Sequence, residues 1–161
     1  MLQNSSVLRY RYITADYMRG LVDGEGCFTF CSAGKENLIP TFVISMHVRD
    51  QKLLVKVADF LNIKGDVNVY KTDQSDGYKH GMMARLMVRD LPGLRDIVTP
   101  FFYKKLLGYK ADQFNTWIER IGNDPLVPER YKIIHSMYKS GYWDKKENYA
   151  DLMFWGDINI V

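Results

Sequence analysis

The sequence predicts an α+β fold in which two β-hairpins, each followed by helices, form one mostly antiparallel four-stranded sheet. Two observations carry this prediction. Four short segments alternate in polarity as strands do, and the segments around them repeat apolar residues with the 3.6-residue period of a helix. The elements follow the order αββαββα, with further helices at the C-terminal end. This order predicts a sheet covered by helices on one face and open on the other.

The first helix is expected at residues 14–24. Thr14 can act as its N-cap, Asp16 suits the positive end of the helix, and Gly24 and Gly26 end it. A segment with strand-like alternation follows directly. The end of this helix should therefore lead straight into the sheet.

The first hairpin is expected to comprise strands at residues 27–33 and 41–48, joined by a turn that contains Gly34, Asn37 and Pro40. In each strand, larger apolar side chains alternate with smaller or polar ones. One face should therefore pack inward, while the other stays open.

The second unit repeats the first. Asp50 can cap a helix whose apolar residues keep the helical period until it ends near Gly65. Strands are expected at residues 66–72 and 82–89, and the valines of the first of these strands should face inward. The repeat of helix and hairpin completes the four-stranded sheet.

Three helices are expected after the second hairpin. A short one has Pro92 in its opening turn, a longer one runs over about residues 104–121, and the last follows Pro128 and stops near Gly141. The tail from Tyr142 carries no pattern that assigns it to a helix or a strand.

Length and composition predict a single domain over residues 1–161. The chain is 47% hydrophobic, which suffices for a core, and its net charge of +3 is only a weak indication of a nucleic-acid partner. No segment resembles a signal peptide, and no apolar run approaches the ~20 residues that a membrane-spanning helix requires. We therefore expect a soluble intracellular protein with no membrane partner.

The two cysteines, Cys27 and Cys31, are predicted to lie on one strand. Four residues of strand cover ~13 Å, whereas a disulfide needs Cα atoms within ~7 Å of each other. The two thiols therefore cannot pair with each other, which suits a reducing compartment.

The end of the first helix carries the segment MRGLVDGEG at residues 18–26. In order and spacing it resembles the LAGLIDADG motif of the homing endonucleases. The alternative is an ordinary capped helix with a glycine-rich exit, in which Glu25 is merely solvated. Nine positions that match in order, directly before an alternating strand, favour the family. The resemblance extends over residues 14 to about 121.

The resemblance implies a metal site and a dimer. Glu25, with the backbone carbonyl of Gly24, would bind Mg²⁺ through oxygen ligands. The chain carries one motif, and single-motif members of the family act as homodimers, whereas members with two motifs act as monomers. The motif helices of the two subunits would pack together at Gly20, Leu21 and Gly24, and the target would be pseudo-palindromic.

Two further segments are similar to the family. Residues 44–50 resemble the end of its second strand, where Arg49 keeps a basic position. Val48 stands where a polar residue is usual, which puts that active-site contact in doubt. Residues 100–105 resemble a segment that ends in paired lysines, and Lys105 matches the basic residue near the scissile phosphate. Lys105 and, more weakly, Arg49 would therefore assist Glu25 in catalysis; the alternative for Lys105 is a solvated lysine at a helix start.

The open face of the sheet is expected to contact double-stranded DNA, although topology alone favours an ordinary solvated face. A β-ribbon can enter the major groove, where Arg85 can bind guanine and Asn68 adenine through two hydrogen bonds each. Lysines such as Lys71 and Lys104 would contact phosphates. The DNA-binding residues predicted in this way are Thr29, Cys31, Ala33, Lys35, Thr41, Val43, Ser45, His47, Asn68, Tyr70, Lys71 and Arg85.

The resemblance as a whole implies a homing endonuclease that makes a double-strand break in a long pseudo-palindromic target by Mg²⁺-dependent hydrolysis. No small-molecule substrate is expected, and the compartment would be a bacterial cytoplasm or an organelle if an intron encodes the protein. One alternative is a weak or inactive relative that acts as an intron maturase or a nucleic-acid-binding protein. Another is an unrelated α+β binding module. Glu25 favours the active enzyme, and Val48 mildly favours the inactive relative.

Overall fold

The computed structural model describes residues 12–72 and 81–144, which form a four-stranded sheet and the helices that cover one of its faces. The strands are β1 (Gly26–Ala33), β2 (Asn37–His47), β3 (Asn68–Lys71) and β4 (Met82–Val88). The helices are α1 (Ala15–Glu25), α2 (Gln51–Phe60), α3 (Thr99–Phe102), α4 (Tyr109–Asn123) and α5 (Lys132–Lys139). The strands lie in the order β1-β2-β4-β3, and all neighbouring pairs are antiparallel. The predicted αββαββα order is confirmed.

The core lies between the inward face of the sheet and the helices. Its centre is an aromatic cluster around Phe28, whose ring centroid lies 5.0 Å from that of Phe114, 5.2 Å from Phe42 and 5.5 Å from Trp117. Burial of one such side chain stabilises a fold by about 1.5–3 kcal/mol. The cluster therefore fixes β1, which begins at the motif, against α4.

Helix α1 begins and ends through local sequence features. The Thr14 hydroxyl oxygen accepts a hydrogen bond from the Tyr17 amide at 3.1 Å, which confirms the predicted N-cap. At the other end, Gly26 has an extended backbone, and a Cβ there would lie 2.6 Å from the Val22 side chain. Only glycine permits this direct passage from helix to strand, so Glu25 stands at the junction.

The first hairpin differs from the prediction in its turn. Gly34 adopts the left-handed conformation (φ +72°) in a turn over residues 34–36, but β2 already begins at Asn37. The expectation that Asn37 and Pro40 belong to the turn is wrong. Pro40 pairs only with β1, because pairing with β4 starts at Phe42, so its missing N–H costs no second ladder bond.

The second unit is shorter than predicted. Helix α2 ends at Phe60, not near Gly65, because Asn62 adopts the left-handed conformation (φ +54°) and turns the chain away. Strand β3 lies at the edge of the sheet, where Val69 is 40% exposed. Val69 lies opposite the buried Ala84, on the inward face as predicted, but the edge position leaves it partly uncovered.

The helices after β4 agree with the prediction except for the start of the long one. A π-helical turn (Gly93–Val98) continues into α3, and a 3-10 turn (Glu129–Tyr131) leads into α5. Helix α4 begins at Tyr109 and not near residue 104, since Lys104 has a left-handed backbone (φ +55°) that interrupts the helical path. The tail beyond residue 144 lies outside the described residues.

Among residues 12–72 and 81–144, no helix is long and apolar enough to cross a membrane. The two cysteines are free, as the strand spacing predicted.

Candidate functional site

Glu25 is the last residue of α1 and is exposed. Its carboxylate makes no hydrogen bond or ion pair to any residue that the structure describes. A negative charge at this end of a helix is unfavourable, by about 0.3–1 kcal/mol at exposed sites. The carbonyl groups of the last helical turn also lack intrahelical partners, and Gly24 contributes one of them. An unpaired carboxylate and a nearby carbonyl are the oxygen ligands that hard divalent cations prefer.

These groups fit a cation but do not complete its site. Within the described ranges, no three side chains of histidine, cysteine, aspartate or glutamate lie close enough to hold a metal ion together. Further oxygen ligands for an ion at Glu25 would therefore come from water, from a bound phosphate or from a second molecule of the protein.

Asp23 ties the end of α1 to the loop before α4. Its two carboxylate oxygens accept hydrogen bonds from the amides of Leu107 at 3.0 Å and Gly108 at 3.1 Å. Because Gly108 is the N-cap of α4, the carboxylate also stabilises the positive end of that helix. This agrees with a structural role for Asp23 at the junction.

Lys105 lies in the loop that Asp23 holds. It is partly buried, its amide donates to the Phe102 carbonyl at 3.1 Å, and it precedes Leu107 by two residues. Glu25 follows Asp23 by two residues. The hydrogen bonds of Asp23 therefore bring the end of α1 and the loop of Lys105 next to each other. Lys105 does not lie at a helix start, because α4 begins only at Tyr109.

Arg49 lies in the turn after β2 and pairs with its neighbour in sequence. It follows β2 in a 3-10 turn (Val48–Asp50), its side chain is 79% exposed, and its guanidinium pairs with Asp50 at 3.7 Å. The turn is capped by His47, whose Nδ1 accepts a hydrogen bond from the Arg49 amide at 3.2 Å. The predicted cap by the Asp50 side chain is absent, since Asp50 makes no such bond to α2. The structure therefore shows no contact between Arg49 and Glu25.

The open face of the sheet is arranged in rows by the strand register. One row is polar and consists of Ser45, Arg85 and Asn68. The row on one side of it consists of Cys27, Val43 and Met87, and the row on its other side contains His47, Met83 and Tyr70. Cys27, Met83 and Met87 are not among the predicted DNA-binding residues. The alternation of β1 nevertheless places Cys27 on this face, and that of β4, with its buried Ala84, Leu86 and Val88, places the two methionines there.

Arg85 is held in a defined orientation on this face. Its guanidinium carbon lies 4.0 Å from the ring centroid of Tyr70, and its Nε donates to the Ser45 hydroxyl at 3.3 Å. The stacking orders a flexible side chain. Three of the predicted DNA-binding residues are thus brought together, and Asn68 lies opposite Arg85 in the register.

The other predicted DNA-binding residues are placed unequally. Thr41 is fully buried (0% exposed), and its hydroxyl donates to the Ile39 carbonyl at 2.9 Å. The expectation that Thr41 contacts DNA is therefore wrong. Ala33 and Lys35 are exposed at the end of the first hairpin, and Lys71 is exposed on β3, whereas the remaining members, Thr29, Cys31 and Val43, are partly buried.

One face of α1 is open and nearly flat. Gly20 and Gly24 are exposed, and a Cβ added at either would meet no atom of the described residues within 4 Å outside the backbone of its own helix. Tyr17, which is 46% exposed, and the partly buried Leu21 share this face at helical spacing. Nothing in the described fold itself requires glycine at these two positions.

Comparisons with known proteins agree with this geometry. A family model described as LAGLIDADG endonuclease matches residues 18–121, more than half of the 161-residue chain. Among solved structures, the chain is similar in fold to the homing endonuclease I-TnaI (22% identity, 92% of this chain and 90% of that chain, TM-score 0.55). It is also similar to I-GzeII in complex with DNA target (23% identity, 78% of this chain and 43% of that chain, TM-score 0.53). A third similar structure is I-SmaMI bound to cleaved DNA (19% identity, 80% of this chain and 44% of that chain, TM-score 0.53). The chain thus spans nearly all of I-TnaI but less than half of the other two chains.

Proposed function

The chain belongs to the LAGLIDADG endonuclease family. We propose that it is a homing endonuclease that makes a double-strand break in a long pseudo-palindromic DNA target by Mg²⁺-dependent hydrolysis. The observation that carries this proposal is the exposed carboxylate of Glu25, which has no described partner, at the end of the motif helix. The neighbouring Asp23, by contrast, is bonded to two amides of the chain and has a structural role.

Each candidate catalytic residue has a distinct role in the proposed reaction. Glu25 and the Gly24 carbonyl would hold the divalent cation. When bound, that cation lowers the pKa of water and neutralises charge on the scissile phosphate. The ammonium of Lys105 would stabilise the negative charge that develops on the phosphate oxygens, and Arg49, which is exposed, would add a weaker electrostatic contribution. Asp23 keeps the Lys105 loop beside the motif helix.

A second copy of the chain would complete the enzyme. One chain provides one Glu25, whereas a double-strand break requires two phosphodiester bonds to be hydrolysed. The exposed Gly20 and Gly24, beside the partly buried Leu21, would let two motif helices approach closely, with their backbones in contact. The length comparison supports this arrangement, since the chain covers 44% of I-SmaMI and two copies would match about one such chain. Two-fold symmetry then predicts a pseudo-palindromic target.

The open sheet face would read the DNA. The polar row offers an oriented arginine and an amide, which suit guanine and adenine in the major groove. The adjacent row of Cys27, Val43 and Met87 offers no comparable hydrogen-bonding group, so it should discriminate bases less strongly. Exposed lysines such as Lys35 and Lys71 would contact the phosphate backbone.

We test the function first by cleavage selection on a randomised DNA library with purified protein and Mg²⁺. The expected product pool is a set of related, roughly palindromic sites, each cut on both strands, and EDTA should suppress cutting. Tight binding without cleavage in any of Mg²⁺, Mn²⁺ or Co²⁺ would contradict the endonuclease proposal. That result would favour a nucleic-acid-binding relative, the candidate to which Val48 points.

The Arg85→Ala substitution tests base reading by the sheet. It should relax specificity at one symmetric pair of target positions, because a bidentate contact to a base contributes about 1–3 kcal/mol of discrimination. Cleavage rates on all single-base variants of the selected target measure this effect.

The matched control for Arg85 is Arg120→Ala. Arg120 also stacks on an aromatic ring, with its guanidinium carbon 4.6 Å from the Phe30 centroid, and it also bonds to a polar partner, Asp124, at 2.9 Å. Because it lies on α4 and not on the open face, its loss should leave the base profile unchanged. Uniform slowing on every target by Arg85→Ala, with the same base preferences, would rule out the assignment.

A further inference from the structure

The segment before α4 is anchored by the C-terminal part of the described chain. The Asp144 Oδ1 accepts two hydrogen bonds, from the Tyr103 hydroxyl at 3.0 Å and from the Lys104 ammonium at 2.6 Å. The Tyr103 ring packs edge-on against Tyr138 at 5.9 Å and lies 5.8 Å from the ring of Trp143, which is buried. Residues 103–104 are thus held by both packing and charge.

Lys104 makes the turn that directs the chain into the loop. Its left-handed backbone (φ +55°) is unfavourable for a residue with a side chain and persists only where surrounding contacts hold it. The bond to Asp144 is such a contact, and Lys105 follows immediately. A change in the Lys104 turn would therefore redirect Lys105.

Lys105 consequently lies between two carboxylate anchors. On its N-terminal side, Asp144 holds Tyr103 and Lys104. On its C-terminal side, Asp23 holds the amides of Leu107 and Gly108. Asp23 belongs to the motif, but Asp144 lies outside residues 18–121, to which the family model corresponds.

We propose that Asp144 is a positioning residue for catalysis, which acts through the Lys104 turn to hold Lys105 beside the scissile phosphate. This inference rests on the proposed function. It gives the segment at residues 138–144 a role in the reaction, since a displacement of about 1 Å in a catalytic group can reduce a rate by as much as 10²-fold.

The charge states of the three side chains favour the contacts of Asp144 with Lys104 and Tyr103. The hydrogen bonds from Lys104 and Tyr103 lower the pKa of the Asp144 carboxyl, and the bond to Asp144 raises the pKa of Lys104. Burial, followed by the bond to Asp144, raises the pKa of the Tyr103 hydroxyl. The carboxylate and the ammonium are therefore both charged near neutral pH, and the tyrosine keeps the proton that it donates.

A double-mutant cycle separates positioning from simple stabilisation of the fold. The single-turnover cleavage rate is measured at saturating enzyme for wild type, Asp144→Ala, Lys105→Met and the double variant, with DNA affinity measured in Ca²⁺. Lys105→Met should slow cleavage roughly 10²-fold and Asp144→Ala roughly 10-fold, both with little change in affinity. The double variant should be no slower than Lys105→Met alone, because Asp144 has no effect once the residue it positions is gone.

Two further variants distinguish a loss of positioning from a loss of stability. Asp144→Asn keeps an acceptor for the Tyr103 hydroxyl and should give an intermediate rate with an unchanged Tm. Asp124→Ala is the matched control, since its carboxylate also has two partners, Arg120 Nε at 2.9 Å and the Leu126 amide at 2.9 Å. It should lower Tm but leave the cleavage rate unchanged well below the unfolding temperature.

The possible failures are distinguishable. If Asp144→Ala cuts at the wild-type rate, or slows the Lys105→Met enzyme as much as it slows wild type, the positioning role is overturned while the endonuclease proposal stands. If Lys105→Met itself cuts at the wild-type rate, the catalytic assignment of Lys105 fails, and the role of Asp144 fails with it. If wild type cuts no DNA, the endonuclease proposal is the one that fails.

Discussion

The Glu25→Gln protein is expected to bind its DNA target and to cut neither strand. Glutamine keeps the shape of the side chain but removes the charge that would hold the cation. Binding, measured in Ca²⁺, should be largely retained, because the open sheet face is untouched. The single-turnover rate in Mg²⁺ should fall by at least about 10³-fold, since metal-assisted charge stabilisation contributes several kcal/mol to such reactions.

The isolation of Glu25 makes this result easy to interpret. Because its carboxylate has no partner among the described residues and its charge is unfavourable at this end of the helix, the substitution should leave Tm unchanged or raise it slightly. A loss of cleavage therefore cannot be attributed to unfolding. Glu36→Gln, at an exposed position in the hairpin turn, removes the same charge elsewhere and should cut normally. Cleavage by Glu25→Gln near the wild-type rate would show that the cation is held by other groups.

Local signals predicted the motif helix and its exit well. The cap at Thr14 and the helix-to-strand passage at Gly26 depend on residues within four positions, and both are present in the structure. The order of helices and strands likewise follows from periodicity, which each segment carries in itself. These features position Glu25, so the part of the site closest to the proposed chemistry was the most predictable.

The errors arose where distant residues decide the local structure. Helix α4 starts at Tyr109 because Gly108 is bound by Asp23, 85 positions away, and because Lys104 is bound by Asp144, 40 positions away. Neither partner is visible in the local pattern around residue 104. The same holds for Thr41, whose polarity and strand position suggested an open-face residue, although tertiary packing buries it.

The sheet face shows an intermediate case. Alternation correctly placed Arg85 and Ser45 outward, but their hydrogen bond depends on the register between β2 and β4, which alternation alone does not specify. Alternation likewise places Cys27 and Met87 on the open face, although neither is among the predicted DNA-binding residues. That they form one row with Val43 follows only from the strand register, so the division into polar and apolar rows emerged from the structure.

The Gly20→Leu protein is expected to be a folded monomer that no longer binds its full target tightly. Among the described residues of one chain, a Cβ at Gly20 meets no atom within 4 Å beyond its own helix backbone. Leucine is also a better helix former than glycine by about 0.5–1 kcal/mol, so the subunit itself should fold. At a two-fold interface each substitution occurs twice, and overpacking costs about 1–3 kcal/mol per site. The dimer should therefore weaken by about 2–6 kcal/mol, or roughly 30-fold to 10⁴-fold in its dissociation constant.

Sedimentation equilibrium and DNA titration on the same samples measure this effect. Wild type should sediment with twice the chain mass, and Gly20→Leu with the mass of one chain, while its circular dichroism spectrum stays the same. Lys56→Leu, at an exposed position on α2, places the same side chain on a different helix and should remain dimeric. Because half of the symmetric target is lost to a monomer, affinity for the full site should fall toward that for a half-site. A Gly20→Leu protein that still sediments as a dimer and cuts both strands would place the interface on another surface than the open face of α1.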